Sequence, residues 1–110
     1  MCPLDITNNV PLTAEFMTRL GRQHAYPLSD LAGQCYSLVR HQPYYFWDVL
    51  TTCYLGRPEL FTTREWETVL IPTGPSQGRT KVEPGGRPVL AMDTVDTSVF
   101  YQYIAQQWAQ

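Results

Sequence analysis

PYYFWDVLTTCYL, residues 43–55, is the stretch around which the remaining segments have to be arranged. On a helix of 3.6 residues per turn, Trp47, Leu50 and Tyr54 fall together, and Phe46, Val49 and Cys53 form a second apolar row beside them. Only Asp48, Thr51 and Thr52 are clearly polar. A helix that is apolar around most of its circumference belongs in the middle of a fold. Burying Asp48 unpaired there would be costly. The reading therefore turns it to solvent beside Thr52, with an ion pair to Arg19 or Arg40 as the alternative.

Working outward toward the N-terminus, residues 29–42 predict a second helix. Leu31, Cys35, Leu38 and Val39 share one apolar face, and Pro43 ends or kinks the run. Upstream again, Thr13 is a cap and Glu15 lies in the positive first turn of a helix over 13–20. Gly21 is its natural C-terminal residue. Residues 1–11 are left as an N-terminal arm.

Downstream, Thr62-Thr63-Arg64-Glu65 fits a capping box, with Phe61 and Trp66 as its hydrophobic staple. The spacing predicts a helix of about nine residues ending at Pro72. Residues 72–88 are dense in Gly and Pro and read as a surface excursion, either a loop or a small β-hairpin around Thr80–Val82. Pro88 to Met92 is a short strand or an extended segment. A last helix runs from about Asp96 to Trp108, with Phe100, Tyr103, Ile104 and Trp108 on one side.

The expected fold is mainly α: one domain over 1–110, a compact bundle of four to five short helices with the Gly/Pro-rich segment before the last. The alternative is α+β, with a hairpin packed at one end. The chain has 110 residues, 44% of them hydrophobic and 13% aromatic, which excludes wholesale disorder. Only 16% are charged. That leaves a surface that can be covered at less desolvation cost than one rich in Lys and Glu.

The formal net charge is -2, with Lys81 the only lysine. This argues against a protein devoted to gripping phosphate backbones. No apolar run is long enough for a membrane span. The start MCPLDITNN has no export-signal pattern, so the expected location is cytoplasmic. Cys2, Cys35 and Cys53 are an odd, widely spaced set and not a disulfide framework.

Chemistry-bearing patterns are weak. GPSQGRT, residues 74–80, has three residues between its glycines where a phosphate-binding loop needs four, and Arg79 stands in place of the lysine. His24 and His41 have no metal-ligand spacing around them. Cys35 and His41 are too far apart along one helix to act as a pair. Glu65 has a capping role, and Asp93 and Asp96 are caps or first-turn acids. No catalytic, cofactor or metal residue is assigned, and no cofactor is expected.

The aromatic surplus carries the functional expectation: a non-enzymatic protein–protein interaction module, acting as an adaptor, an inhibitor or an assembly subunit. Its partner would be another protein or a second copy, bound through Tyr44, Tyr45, Arg79, Lys81, Arg87, Tyr101, Tyr103 and Trp108. The alternative is a small DNA-binding regulator of winged helix-turn-helix type, with residues 29–42 as reader and the cations of 79–87 as a wing. Nucleic acid is the less favoured partner, and no membrane is involved.

Overall fold

The computed structural model describes residues 1–110. Five helices and three strands follow in the order α1 (Leu4–Thr7), α2 (Ala14–Arg22), α3 (Pro27–Ser37), α4 (Trp47–Gly56), β1 (Phe61–Leu70), β2 (Thr80–Val82), β3 (Arg87–Val95) and α5 (Thr97–Trp108). A single 3-10 turn, Pro58–Leu60, links α4 to β1.

The mainly-α bundle is corrected. The chain is 45% helix and 22% strand, with a three-stranded antiparallel sheet, and its class is α+β. The decisive segment is β1, where the capping-box reading placed a helix. Thr62, Thr63, Thr68 and Val69 are β-branched, and Phe61 and Trp66 are aromatic, so the same residues suit a pleated strand. Tertiary pairing decides between the two. β3 lies antiparallel to β1 from Phe61 opposite Val95 to Thr68 opposite Arg87. Thr62, the supposed cap, instead bonds Thr94 across the ladder, hydroxyl to hydroxyl at 2.6 Å.

The strand order is β2-β1-β3. After β1 the chain returns through residues 71–79 and pairs Val82 with Thr68. It then passes over β1 and pairs Arg87 with the same Thr68 on the other side. One antiparallel course thus changes flank at Thr68, which is buried beneath the crossing.

The helices follow their local signals more closely. Thr13 caps α2, its hydroxyl accepting from the Phe16 amide at 3.1 Å. Asp96 caps α5 through the Val99 amide at 3.0 Å. α3 starts two residues before Ser29, with Pro27 in its first turn. Residues 1–11, read as an arm, contain α1 and bury Ile6, Thr7 and Val10. They also hold the entry to α4, because the Phe46 amide donates to Val10 O at 3.0 Å and the Leu12 amide to Tyr44 O at 2.8 Å.

The core gathers Ile6, Val10, Phe16, Leu20, Phe46, Leu50, Phe100 and Ile104 between the helices. Ser29 lies fully buried at its edge, donating to Trp108 O at 3.0 Å and lying 3.3 Å from Gln23 Oε1. Ser29→Ala leaves that carbonyl short of a partner, and the expected cost is about 1–2 kcal/mol. The check is a lower urea midpoint at unchanged m-value.

The body is extended for its length. Its radius of gyration is 16.6 Å and its extents are 52 × 31 × 18 Å. A compact domain of this size would have a radius of about 13 Å. Only 17 of 110 residues are buried. No helix is long and apolar enough to cross a membrane.

Candidate active-site wall

α4 begins at Trp47 without a side-chain cap, and Asp48 lies in its first turn, where the helix dipole favours a carboxylate. Asp48 is exposed, and Thr52 donates its hydroxyl to the Asp48 carbonyl at 2.8 Å. The chain's two ion pairs are Arg57–Glu59 and Lys81–Glu83, so neither Arg19 nor Arg40 pairs with Asp48.

Aromatic rings cluster at the start of this helix. Trp47 meets Tyr44 edge-on at 4.9 Å and Tyr45 at 5.7 Å. Tyr36 lies 5.9 Å from Tyr44 and 6.1 Å from Trp108. Burial pushes the Tyr36 phenol up to about 12, with Tyr44, Cys35 and Asp48 adding to the shift. It therefore stays protonated and able to donate a hydrogen bond near Asp48.

A groove of about 320 Å³ runs from Asp48 between α4 and α5, lined by Thr52 and Cys53 on one side and by Tyr103, Gln107 and Trp108 on the other. That volume is at the small end for a ligand site. Burial raises the Cys53 thiol to about 11, so it is neutral and no nucleophile at ordinary pH. No group of three or more His, Cys, Asp or Glu side chains converges anywhere in the chain.

The residues singled out from sequence divide into two sets. Tyr44, Tyr45, Tyr101, Tyr103 and Trp108 are half-buried at the helical end. Tyr101 donates to Pro11 O at 2.5 Å, and Tyr103 lies under the Arg57 guanidinium, 5.2 Å from ring centre to charge. Lys81 and Arg87 are exposed on the sheet and Arg79 in the connection before it, with Lys81 held by Glu83 at 2.9 Å. For Asp48 the sequence offers a solvent-facing acid or an ion pair with Arg19 or Arg40, and the structure takes the first. An unpartnered carboxylate between a tryptophan and an apolar helix face was the signal that marked it.

No family model and no curated protein matches this sequence. Solved structures do. The chain is similar to the inosine-uridine preferring nucleoside hydrolase from Bacillus anthracis, with a TM-score of 0.85 and 36% identity, covering 96% of this chain and 34% of that one. It is similar in fold to the plant nucleoside hydrolase PpNRh1, at TM-score 0.74 and 19% identity over 96% of this chain and 39% of that one. The purine-preferring ribonucleoside hydrolase from Gardnerella vaginalis gives TM-score 0.74 and 17% identity, over 99% of this chain and 39% of that one. The chain thus spans little more than a third of the length of these structures.

These likenesses overturn the non-enzymatic adaptor or inhibitor, because the whole described body recurs within enzymes. They overturn the DNA-binding regulator equally. The physical reason is visible in the supposed reader helix: the outward residues of α3 include Leu28 and Leu31, with Leu38 at its C-terminal cap, and these offer nothing to base edges or phosphates.

Proposed function

We propose that this chain is part of an enzyme that hydrolyses the N-glycosidic bond of ribonucleosides, and that it supplies one wall of the site. The observation that carries the reading is the 0.85 TM-score at 36% identity over 96% of the chain to the Bacillus anthracis nucleoside hydrolase. The chemistry of the α4 N-terminus supports it. A nucleoside presents a flat base and a sugar with vicinal hydroxyls. Tyr44 and Trp47 offer ring faces for the base, a contact worth about 1–3 kcal/mol. The free Asp48 carboxylate accepts from sugar hydroxyls and favours the positive charge that develops on the sugar ring as the bond to the base breaks. In the overall reaction water delivers hydroxyl to the sugar carbon and a proton to the departing base. The three free thiols fit a reducing compartment, and the cytoplasm is the location we propose.

The test is a titration of the chain with inosine and uridine, followed by tryptophan fluorescence, with ribose and the free bases as separate arms. Nucleosides are expected to quench Trp47, with ribose weaker by an order of magnitude or more. Asp48→Asn is expected to weaken nucleoside binding about tenfold, which is about 1.4 kcal/mol. A folded chain that ignores both nucleosides up to their solubility limit would falsify the reading.

A further inference from the structure

We propose that the polar cleft between α2 and the start of α5 binds a phosphate monoester carried on a pentose, with Arg19 and Arg22 holding the phosphate. None of its residues belongs to the α4 wall, so the proposal stands apart from the hydrolase reading.

The cleft holds about 810 Å³, a volume within the range of small-molecule sites and far more than a bare phosphate fills. Helical spacing builds its first wall. Glu15, Arg19 and Arg22 follow one another at 4 and 3 residues along α2, which puts them on one stripe. Thr97, Ser98 and Gln102 supply the facing wall from the first turns of α5. Phe16 and Tyr101 are the only hydrophobic members of the lining. Covering such a surface with apolar chain would strand its polar groups, so its natural occupant is water or a polar ligand.

The charges say which ligand. Arg19 and Arg22 stand one turn apart, where like charges repel. Neither enters one of the chain's two ion pairs, although Arg19 is half-buried and Glu15 precedes it at the favourable four-residue spacing. The C-terminal end of α2 favours a cation, but the dipole gives no reason for both to line one cleft. Two adjacent guanidiniums do match a dianionic phosphate, since each offers a planar fork of donors to its oxygens.

The remaining polar groups fix the direction. The Thr18 hydroxyl is occupied by Ala14 O at 2.9 Å and that of Tyr101 by Pro11 O at 2.5 Å. Asp96 is engaged with the Val99 amide. Thr97, Ser98 and Gln102 have no side-chain partner of that kind, which leaves them to donate to phosphate or sugar oxygens. Glu15 lies seven residues from Arg22, about 10 Å along the helix axis. A carboxylate there repels phosphate and accepts from sugar hydroxyls. The phosphate therefore sits at the Arg22 end and the pentose extends toward Glu15.

The test is an NMR titration of the chain with ribose 5-phosphate, inosine 5′-phosphate, inorganic phosphate and inosine as separate arms at fixed ionic strength. The Nε–H signals of Arg19 and Arg22 and the amides of Thr97 and Ser98 report on the cleft, and the Trp47 indole on the α4 wall. Both monoesters are expected to move the cleft signals and to bind at least about tenfold more tightly than inorganic phosphate. Arg19→Gln and Arg22→Gln are each expected to weaken the monoesters about tenfold at an unchanged far-UV circular dichroism spectrum. Arg19→Lys, which keeps the charge and loses the fork, is expected to weaken them about threefold. Monoesters that leave the cleft signals still overturn the proposal. So does inorganic phosphate binding as tightly as ribose 5-phosphate, an adventitious ion only, and so does full affinity in the Arg19→Gln, Arg22→Gln double variant. Should a variant not fold, intermolecular NOEs from the pentose protons to Gln102 and Tyr101 of the unmutated chain decide, and their absence overturns the proposal. Inosine that moves Trp47 beside monoesters that leave the cleft unmoved keeps the hydrolase reading and removes this site. The converse pattern does the reverse.

Discussion

Phe46→Ala is expected to cost about 4 kcal/mol and to leave the chain largely unfolded at room temperature. Phe46 is 1% exposed, and four aromatic rings stand around it: Tyr36 at 5.1 Å, Phe16 at 5.3 Å, Phe100 and Tyr101 each at 6.0 Å. Those rings come from α2, α3 and α5, so one side chain ties three helices to the start of α4. Its backbone is fixed as well, the amide to Val10 O at 3.0 Å and the carbonyl to the Leu50 amide at 2.9 Å. The neighbours therefore cannot collapse into the space a truncation leaves, which puts the cost toward the upper end for a phenylalanine. With 17 residues buried, the total stability of the chain belongs at the low end of the usual range, about 5 kcal/mol. A loss of 4 kcal/mol removes most of that. Urea denaturation followed by far-UV circular dichroism is the check, with Phe46→Leu expected to lose only about 1–1.5 kcal/mol. A Phe46→Ala loss no greater than that of Leu70→Ala, whose side chain is 70% exposed, would place the core elsewhere.

The part of the fold that was legible in the sequence is the part whose signals are short-range. Thr13 and Asp96 cap the helices they were read to cap or open, because a hydroxyl or carboxylate three residues from a free amide acts without reference to the rest of the chain. In 43–55 the periodicity gave two apolar rows, and the structure buries Phe46, Leu50 and Cys53, drawing from both. The failure at 61–70 has the opposite origin. Thr-Thr-Arg-Glu flanked by Phe and Trp satisfies a helix start and a β-strand equally, and the arbiter is a partner strand that begins at Arg87. No local window contains that partner.

The apolar face of α3 shows a different limit. Periodicity predicted that Leu31, Cys35 and Leu38 share a face, and they do, but a period does not say what covers the face. Within this chain nothing covers it. The candidate site was illegible for a related reason. A carboxylate beside aromatic rings at one helix start resembles the aromatic–polar mixture of an ordinary docking patch. Of the residues read as a partner face, Tyr44, Tyr45, Tyr101, Tyr103 and Trp108 are half-buried at the helical end, while Lys81 and Arg87 lie on the sheet and Arg79 just before it.

Gly86→Ala is expected to cost about 3 kcal/mol, more than any other glycine substitution in the chain. The connection from β2 to β3 has only residues 83–86 in which to pass over β1, and Gly86 presses on the strand below. A Cβ there would sit 2.6 Å from Thr68 O, 2.7 Å from Thr68 C and 2.8 Å from Thr68 N. These are backbone atoms in the middle of two ladders, since Thr68 pairs with Val82 on one side and Arg87 on the other. Neither layer has slack. The Glu83 amide is held by Glu67 O at 2.8 Å, the Gly85 amide by the Glu67 carboxylate at 2.8 Å, and the Arg87 carbonyl by the Thr68 hydroxyl at 3.2 Å. Relief of the clash means lifting the crossing and losing those bonds, each worth about 1 kcal/mol. The neighbouring Gly85 separates this effect from backbone strain: its φ is +82°, and no atom lies within 4 Å of its Cβ position. Gly85→Ala therefore pays only the left-handed penalty, about 1–2 kcal/mol. The two variants are compared by urea midpoint and by hydrogen exchange of the β1 amides, which should accelerate in Gly86→Ala well before those of α4 and α5. If alanine is tolerated better at 86 than at 85, the chain does not cross β1 at Thr68 in the way described, and the β2-β1-β3 order fails with it.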